Sequence, residues 1–417
     1  SGTKMPCYAF DSSGDLARHV AQVVAGVIRE RNSFGQKAVL GLPTGSTPVG
    51  VYRELIRMHD EEELDFSNVV TFNLDEYYGL QPNALQSYHR WMREQFFDHV
   101  NVASENIHIP DGTKSLDEID AHCRQYEQMI ADAGGIDLML LGIGGNGHIG
   151  FNEPQSCRTS RTRLCTLDPV TRKAAASDFF SEDNVPVQAI TMGLATIMNA
   201  RKILLLALGE HKAEIIRAAA EGDVSDGVPA SILQEHPDAA IIVDDAAAGA
   251  LTGVAMPWML GSFEMSDFAV KRAVLWLCEQ TGKALLKLND DDFRRHNLHQ
   301  LLRHHGPAQQ IAHRVFRWMM DTIEYHPAGE AEPDGSKRII CFSPHPDDDV
   351  ISMGGTLIRL NEDGHEVHIA YMTSGNIAVF DHDAQRIADL VTEYNRMFGV
   401  EAPKLLDVER AVRESLS

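Results

Sequence analysis

Two hydrophobic patterns recur along the first 250 residues. Asp15 to Arg31 places leucine and valine at steps of three and four, which predicts an amphipathic helix that Ser12 or Ser13 can cap. Short runs that are apolar at nearly every position alternate with helical or mixed stretches and predict buried strands. These runs are Ala38–Leu42, Val69–Leu74, Ile136–Ile143, Lys202–Leu208 and Ala239–Val243.

Buried strands that alternate with helices indicate a parallel sheet covered on both faces, here a three-layer α/β/α, Rossmann-like fold. In such folds, ligands bind beyond the carboxyl ends of the strands. Polar or glycine-rich sequence follows three of the predicted strands, at Pro43–Pro48, at Asp75 and Glu76, and at Gly144–Pro154. We therefore expect a functional site at this edge of the sheet.

The character of the sequence changes near residue 250, so we divide the chain into four parts. Residues 1–250 form the α/β domain, and residues 251–325, rich in Leu, Trp, His and Arg, predict a helical connecting segment. Residues 326–337 are polar and rich in Pro and Gly, which is typical of a linker. Residues 338–417 predict a second, incomplete α/β domain that starts with a strand.

Composition narrows the class of protein. A chain of 417 residues exceeds the usual size of one hydrophobic core. The net charge of −23 opposes binding to nucleic acid or an anionic membrane, so an anionic substrate would need a locally cationic pocket. Six scattered cysteines without a C-x-x-C pair, no signal-peptide pattern and no long apolar run predict a cytoplasmic protein. Its oligomeric state stays open, with a homo-oligomer as one alternative.

Three side chains near predicted strand ends are candidates for acid–base chemistry. Asp75, His148 and Glu153 combine carboxylates with an imidazole, which suits removal of a proton next to a carbonyl group. Each also has a purely structural reading, as a helix cap, a loop histidine or a solvated carboxylate. Arg172 and Lys212 are candidate phosphate ligands, and a solvated surface position is the alternative for each.

Five motifs, in order and at matching spacing, resemble those of the glucosamine-6-phosphate deaminase family. The resemblance covers about residues 10 to 250. Its motifs are Gly41–Pro48, Asn73–Tyr77, Ser87–His89, Gly144–Pro154 and Gly209–Lys212.

The resemblance implies conversion of glucosamine 6-phosphate and water to fructose 6-phosphate and ammonia, without a metal or another cofactor. Asp75 would be the base that moves a proton between C1 and C2 of the open-chain sugar. His148 would assist ring opening, positioned by Glu153 and Asn146. The substrate phosphate would be held by Thr44, Gly45, Ser46, Thr47, Arg172 and Lys212.

Two positions depart from the commoner family pattern. Many deaminases carry Asp where this chain has Asn146, although Asn also occurs there, and an amide can still accept a hydrogen bond from His148. Allosteric members use basic residues soon after Glu153; Arg163 is retained, but Cys165 stands where they have a basic residue. The resemblance therefore does not extend to that regulation.

The last segment resembles the start of the de-N-acetylases that act on N-acetylglucosaminyl groups, the PIG-L family. Its motif is His345-Pro346-Asp347-Asp348 followed by two glycines. The resemblance implies that His345 and Asp348 ligate zinc and that Asp347 acts as base. A further histidine ligand normally lies later than residue 417, so we expect an incomplete zinc site.

Two other functions compete with deamination for the first domain. A 6-phosphogluconolactonase-like hydrolase shares the fold and a glycine-rich loop with a histidine, but Asp75 and Glu153 favour the deaminase. A non-catalytic sugar-phosphate sensor would keep the phosphate loop alone, and the retained acid–base residues weigh against it.

Overall fold

The computed structural model describes residues 2–261, 263–320, 336–373 and 381–398. Two units, Ser1–Val315 and Phe316–Ser417, each form their own set of contacts. The predicted linker lies outside the described residues except for Ser336 and Lys337, and so do residues 399–417 of the predicted second domain.

Ten strands belong to the described part of the first unit. They are β1 (Cys7–Phe10), β2 (Ala38–Leu42), β3 (Val69–Asn73), β4 (Asp75–Tyr77), β5 (Ile107–His108), β6 (Leu138–Gly142), β7 (Arg163–Thr166), β8 (Gln188–Thr191), β9 (Lys202–Ala207) and β10 (Ala239–Asp244). Seven of them form a parallel sheet in the order β1-β10-β9-β6-β2-β3-β5, and β4, β8 and β7 form a smaller antiparallel sheet.

Nine α-helices lie between or after these strands within the described residues 2–261. They are α1 (Ser13–Ser33), α2 (Val49–Glu62), α3 (Tyr88–Gln95), α4 (Leu116–Asp132), α5 (Pro169–Ala175), α6 (Leu194–Met198), α7 (Ala213–Glu221), α8 (Asp245–Ala248) and α9 (Thr252–Ala255). The first begins as the sequence predicts, because the Ser12 side chain accepts a hydrogen bond from the Asp15 backbone.

Helices cover both faces of the seven-stranded sheet. Successive side chains of a strand point to opposite faces, so Leu40 and Val39 contribute to different cores. On the Leu40 side α1 and α2 bury Val24 and Leu55, and on the Val39 side α4 buries Tyr126. The three-layer α/β/α fold is therefore confirmed.

A buried carboxylate fixes the amino-terminal edge of the sheet. Asp137 accepts hydrogen bonds from the Val39 backbone N–H at 2.9 Å, from Arg201 at 2.7 Å and from Arg31. These contacts join β2, β6 and the end of α1, at the edge opposite to the predicted site.

The segment after residue 250 is helical, as its composition predicts. Besides α9, its described helices are α10 (Asp267–Thr281), α11 (Asp290–Arg295), α12 (His299–His305) and α13 (Ala308–Met320). The start of the segment is tied to α7, because the Thr252 backbone and hydroxyl both donate to Glu221, at 2.8 and 2.7 Å. The predicted boundary at residue 250 stays a prediction.

The second unit contains a small parallel sheet. Its strands β11 (Arg338–Ser343) and β12 (Glu366–Tyr371) pair in parallel and are connected through α14 (Asp348–Glu362), and α15 (Asp381–Phe398) follows. The strand predicted at the start of this domain is thus present, at Arg338–Ser343, directly before the His345 motif.

Candidate functional site

The carboxyl ends of β2, β3, β6 and β9 open onto a cavity of about 450 Å³, which is the size of a small-molecule site. The sequence predicted a site at this edge of the sheet, and the cavity lies there. The wall carries the side chains of Thr44, Ser46, Thr47, Asp75, Tyr88, Asn146, His148, Thr171, His211 and Lys212.

Asp75 is the first residue of β4, where the chain leaves the large sheet and pairs with β8 opposite Thr191. This residue is only 7% exposed. Burial, with a smaller contribution from the neighbouring charge of Glu76, raises the pKa of Asp75 to about 8. A carboxyl group with this pKa exchanges a proton readily near neutral pH, as a general base for a weakly acidic C–H requires.

Glu76 performs a different task from Asp75, although the two are adjacent. Its Oε2 accepts hydrogen bonds from the Ser87 hydroxyl at 2.6 Å and from the His89 backbone N–H at 3.3 Å, and its Oε1 accepts from the Tyr77 N–H at 2.8 Å. Glu76 therefore fixes the start of α3, which carries Tyr88 into the cavity wall.

Three polar side chains contact the Nδ1 atom of His148. Asn146 Oδ1 lies 2.7 Å from Nδ1, Thr171 Oγ1 lies 3.2 Å away and Glu153 Oε2 lies 3.3 Å away. Asn146 also donates from its amide nitrogen to Glu153 at 2.8 Å. The side chains at 146 and 153, 7 residues apart, thus form one cluster with the imidazole, as the sequence predicts.

Glu153 keeps its negative charge in this cluster. Burial alone would raise its pKa, but hydrogen bonds from His148, Thr171 and Asn146 together with the charge of His148 lower the pKa of Glu153 to about 2. A carboxylate fixed beside Nδ1 stabilises the imidazolium that forms when the ring takes up a proton at Nε2.

The geometry of the loop requires glycine at three positions, for two different reasons. A side chain at Gly144 would overlap with the His148 ring, so the absence of a Cβ there makes room for the imidazole. Gly147 has φ of +86° and Gly150 has φ of +54°, a backbone region that glycine adopts without strain. The glycine-rich turn is thus shaped around the histidine.

The predicted phosphate ligands divide into two groups. Thr44, Gly45, Ser46, Thr47 and Lys212 line the cavity; the Lys212 ammonium donates to the Ile143 carbonyl at 2.8 Å, and burial lowers its pKa. Arg172 is absent from the described cavity wall, because its guanidinium donates to the Glu182 carbonyl at 2.9 Å. Arg172 as a phosphate ligand stays a prediction.

Arg163 and Cys165, at the positions linked to allosteric regulation, both contact the segment from Phe151 to Ser156. Arg163 donates to the Asn152 side chain at 2.9 Å and to the Ser156 hydroxyl. The Cys165 thiol contacts the Phe151 and Ala189 carbonyl oxygens, at 3.6 and 3.3 Å. Burial raises the pKa of Cys165 to about 12, so the thiol stays protonated and uncharged.

The zinc site implied for the second unit is not complete in the described residues. His345 Nδ1 lies 2.8 Å from Asp348 Oδ2 at the surface, and Asp347 is exposed beside them. Within the described ranges, no group of three or more His, Cys, Asp and Glu side chains is placed to hold a metal ion. These residues therefore do not fit a zinc ion by themselves.

Sequence reasoning missed three side chains of the site. Glu76 and Tyr88 lie in family motifs that assign them no role of their own, and Thr171 lies outside the motifs. The pKa of Tyr88 lies well above its usual range because burial of its hydroxyl disfavours the charged form. Tyr88 stands one residue after the serine that caps α3, and Thr171 directly precedes the candidate Arg172. Their positions were visible, but their contacts depend on the fold.

Comparisons with known proteins identify two regions of the chain. The family model of glucosamine-6-phosphate isomerases/6-phosphogluconolactonase matches residues 11–242. The model of GlcNAc-PI de-N-acetylase matches residues 340–409. Both regions agree with the resemblances that the motifs carry.

Individual relatives extend this result. A glucosamine-6-phosphate deaminase-like protein of Bacteroides thetaiotaomicron is 44% identical over 405 residues, which cover 95% of this chain and 61% of the relative. The glucosamine-6-phosphate deaminase of Thermoanaerobacter pseudethanolicus is 49% identical over 234 residues, covering 56% of this chain and 90% of the relative. This chain thus spans about three fifths of the Bacteroides protein and most of the shorter one.

A solved structure of a monomeric glucosamine-6-phosphate deaminase matches with a TM-score of 0.57 and 44% identity. The match covers 59% of this chain and 100% of that structure.

Among the helices of the described residues, none is long and apolar enough to cross a membrane.

Proposed function

Because the chain belongs to the family of glucosamine-6-phosphate isomerases and 6-phosphogluconolactonases, we propose that it converts glucosamine 6-phosphate and water to fructose 6-phosphate and ammonia. The observation that carries this proposal is Asp75, a buried carboxyl group with a pKa of about 8 in the same cavity wall as His148. Relatives named as deaminases at 44% to 49% identity support it.

The first step is opening of the sugar ring. His148 Nδ1 faces Asn146, Thr171 and Glu153, which leaves Nε2 as the nitrogen that a substrate can use. Nε2 accepts the proton of the anomeric hydroxyl and delivers it to the ring oxygen as the bond between C1 and that oxygen breaks, and the open-chain aldehyde results. Glu153 stabilises the imidazolium during this transfer.

The second step is the transfer of a proton between two carbons. Ionised Asp75 removes the proton at C2, next to the aldehyde, a proton of the C2 ammonium group passes to the aldehyde oxygen, and an enol with an amino group at C2 forms. Return of the proton to C1 gives a ketose imine, and water then replaces the nitrogen at C2, which releases ammonia. No electron acceptor is needed, because reduction at C1 balances oxidation at C2.

The phosphate supplies the affinity. The backbone N–H groups of the Thr44–Thr47 loop lie next to the start of α2, where the helix dipole favours an anion, and Lys212 adds a positive charge. This locally cationic wall lets a chain of net charge −23 bind a sugar phosphate. Arg172 belongs to the proposed ligands through the family resemblance alone.

The proposal includes no metal or other cofactor for the deaminase domain, and its partner is the sugar phosphate rather than nucleic acid or membrane. We place the protein in the cytoplasm, since all six cysteines carry free thiols, which suits a reducing compartment. The proposed activity is compatible with a homo-oligomer.

The test is a coupled assay of the full chain for fructose 6-phosphate, with ammonia measured in parallel and a chelator present. We expect turnover of glucosamine 6-phosphate by wild type and none by His148→Ala. The same preparation is assayed with 6-phosphogluconolactone. Hydrolysis of the lactone alone would establish the lactonase, and binding of glucosamine 6-phosphate by calorimetry without turnover would establish a sensor.

A further inference from the structure

The chain between β7 and β8 reaches back to the catalytic cluster through the first turn of α5. The backbone N–H of Asp168 donates to Glu153 Oε1 at 3.2 Å, and the Asp168 side chain caps α5 by accepting from the Val170 N–H at 2.8 Å. The side chains of Val170 and Ala174 on this helix line the cavity. One face of α5 therefore forms part of the cavity wall, and the residue that caps this helix is hydrogen-bonded to Glu153.

Thr171 stands between His148 and Glu153. Its side chain is buried, its hydroxyl hydrogen-bonds to Glu153, and its Oγ1 lies 3.2 Å from His148 Nδ1. A hydroxyl has one donor and two acceptor positions. Ionised Glu153 can only accept, so Thr171 donates to Glu153 and accepts from the Nδ1–H of His148.

This arrangement fixes the form of the imidazole. Asn146 Oδ1 at 2.7 Å, Thr171 Oγ1 and Glu153 Oε2 are all acceptors toward Nδ1, so the proton of neutral His148 resides there. Nε2 is then unprotonated and able to accept a proton from the substrate. Of the three acceptors, Thr171 alone belongs to α5.

We propose that Thr171 is a positioning residue. Through its hydroxyl, the position of α5 against the cavity sets the orientation of the His148 imidazole and the Glu153 carboxylate. This inference rests on the proposed deaminase reaction for its kinetic consequence, whereas the hydrogen-bond geometry holds in the free protein. Because Thr171, Val170 and Ala174 all belong to α5, the position of this helix places the hydroxyl in the His148 cluster and the other two side chains in the cavity wall.

The experiment compares three variants of the full chain. Thr171→Val keeps the shape but removes the hydroxyl, and Thr171→Ser keeps the hydroxyl but removes the methyl group. Lys173→Gln, at an exposed position on the same helix, is the matched control. The readouts are kcat and KM for glucosamine 6-phosphate, and the ¹⁵N NMR signals of the His148 ring, assigned by their loss in His148→Ala.

We expect Thr171→Val to lower kcat about tenfold, the effect of one lost hydrogen bond within a charged cluster, and to leave KM within about twofold. The ¹⁵N signals of its His148 ring should move toward a mixture of tautomers. Thr171→Ser should stay within about twofold of wild type in kcat and keep the wild-type ring signals, as should Lys173→Gln.

Two results would overturn the inference. A loss of kcat in Thr171→Ser with wild-type kcat in Thr171→Val would show that the methyl group matters and that Thr171 only packs, and unchanged ring signals in Thr171→Val would show that the hydroxyl does not position His148. A wild-type chain without deaminase activity would refute the proposed function instead, and the ring signals would still decide the role of Thr171.

Discussion

Replacing Asp75 by asparagine should make the protein inactive and more stable at neutral pH. The residue is 7% exposed, and the pKa of its carboxyl group is about 8 in the folded chain against an ordinary value of 3.8. The folded protein therefore binds this proton more tightly than the unfolded chain does. Stability contributed by the protonated group is present below pH 3.8 and is lost as the pH rises toward 8.

The size of the effect follows from the two pKa values. At about 1.36 kcal/mol per pKa unit, the cost of keeping Asp75 in its buried site reaches about 2 kcal/mol at pH 5 and about 4 kcal/mol at pH 7. An asparagine side chain has nearly the same shape but no titrating proton, so Asp75→Asn removes this cost. Loss of the proton-transfer base should at the same time lower kcat by about 10³-fold.

Unfolding midpoints in urea, measured for wild type and Asp75→Asn at pH 5, 6, 7 and 8, test the argument. The variant should be the more stable protein, by a margin that widens with pH. Asp60→Asn, at an exposed position on α2, should differ little from wild type at every pH. A margin that is constant with pH, or a variant less stable than wild type at pH 7, would contradict the burial of an acid with a raised pKa.

Three further substitutions test other parts of the first unit. Gly144→Ala should displace the His148 ring and lower kcat at least about 100-fold in the coupled assay, whereas Gly26→Ala, where a Cβ meets no neighbouring atom within 4 Å, should leave kcat unchanged. Lys212→Met should raise KM for the sugar phosphate by about tenfold or more, with a smaller change in kcat, because it removes a cation from the phosphate region. Asp137→Asn should lower the free energy of unfolding by at least about 2 kcal/mol in urea, since its two arginine partners lose their buried carboxylate; an unchanged midpoint would contradict this.

The large sheet could be predicted because its central strands are buried on both faces. Five apolar runs identify β2, β3, β6, β9 and β10 to within two residues at either end. The edge strand β1, Cys7–Phe10, is apolar but only four residues long, and its side chains are half-buried or exposed. Pairing with β10 rather than its own apolar pattern defines it as a strand.

The small antiparallel sheet could not be predicted for a related reason. The strand β4 is three residues long and consists of Asp75, Glu76 and Tyr77, so it shows no apolar run. Its pairing with β8, more than a hundred residues later, makes it a strand and buries both carboxyl groups. The sequence could name Asp75 as a base, but the raised pKa that suits the role comes from this pairing and burial.

Sequence position and spatial position also diverge at α5. Arg172 and Thr171 are neighbours in the chain, yet successive residues of a helix point in different directions. Thr171 contacts the His148 cluster, while Arg172 donates to the Glu182 carbonyl. The family resemblance that names Arg172 therefore does not say where its guanidinium lies, and it gives no role to the threonine beside it.

The contacts of the His148 cluster explain why an amide suits position 146. Asn146 accepts from His148 Nδ1 with its oxygen and donates to Glu153 with its nitrogen, at 2.7 and 2.8 Å. A carboxylate there could make the first contact but not the second, and it would place a second negative charge beside Glu153. In this chain the charge that stabilises an imidazolium comes from Glu153, and Asn146 connects that carboxylate to the ring. The departure from the commoner aspartate therefore leaves His148 with a charged partner, because one carboxylate supplies the charge and the amide sets the geometry.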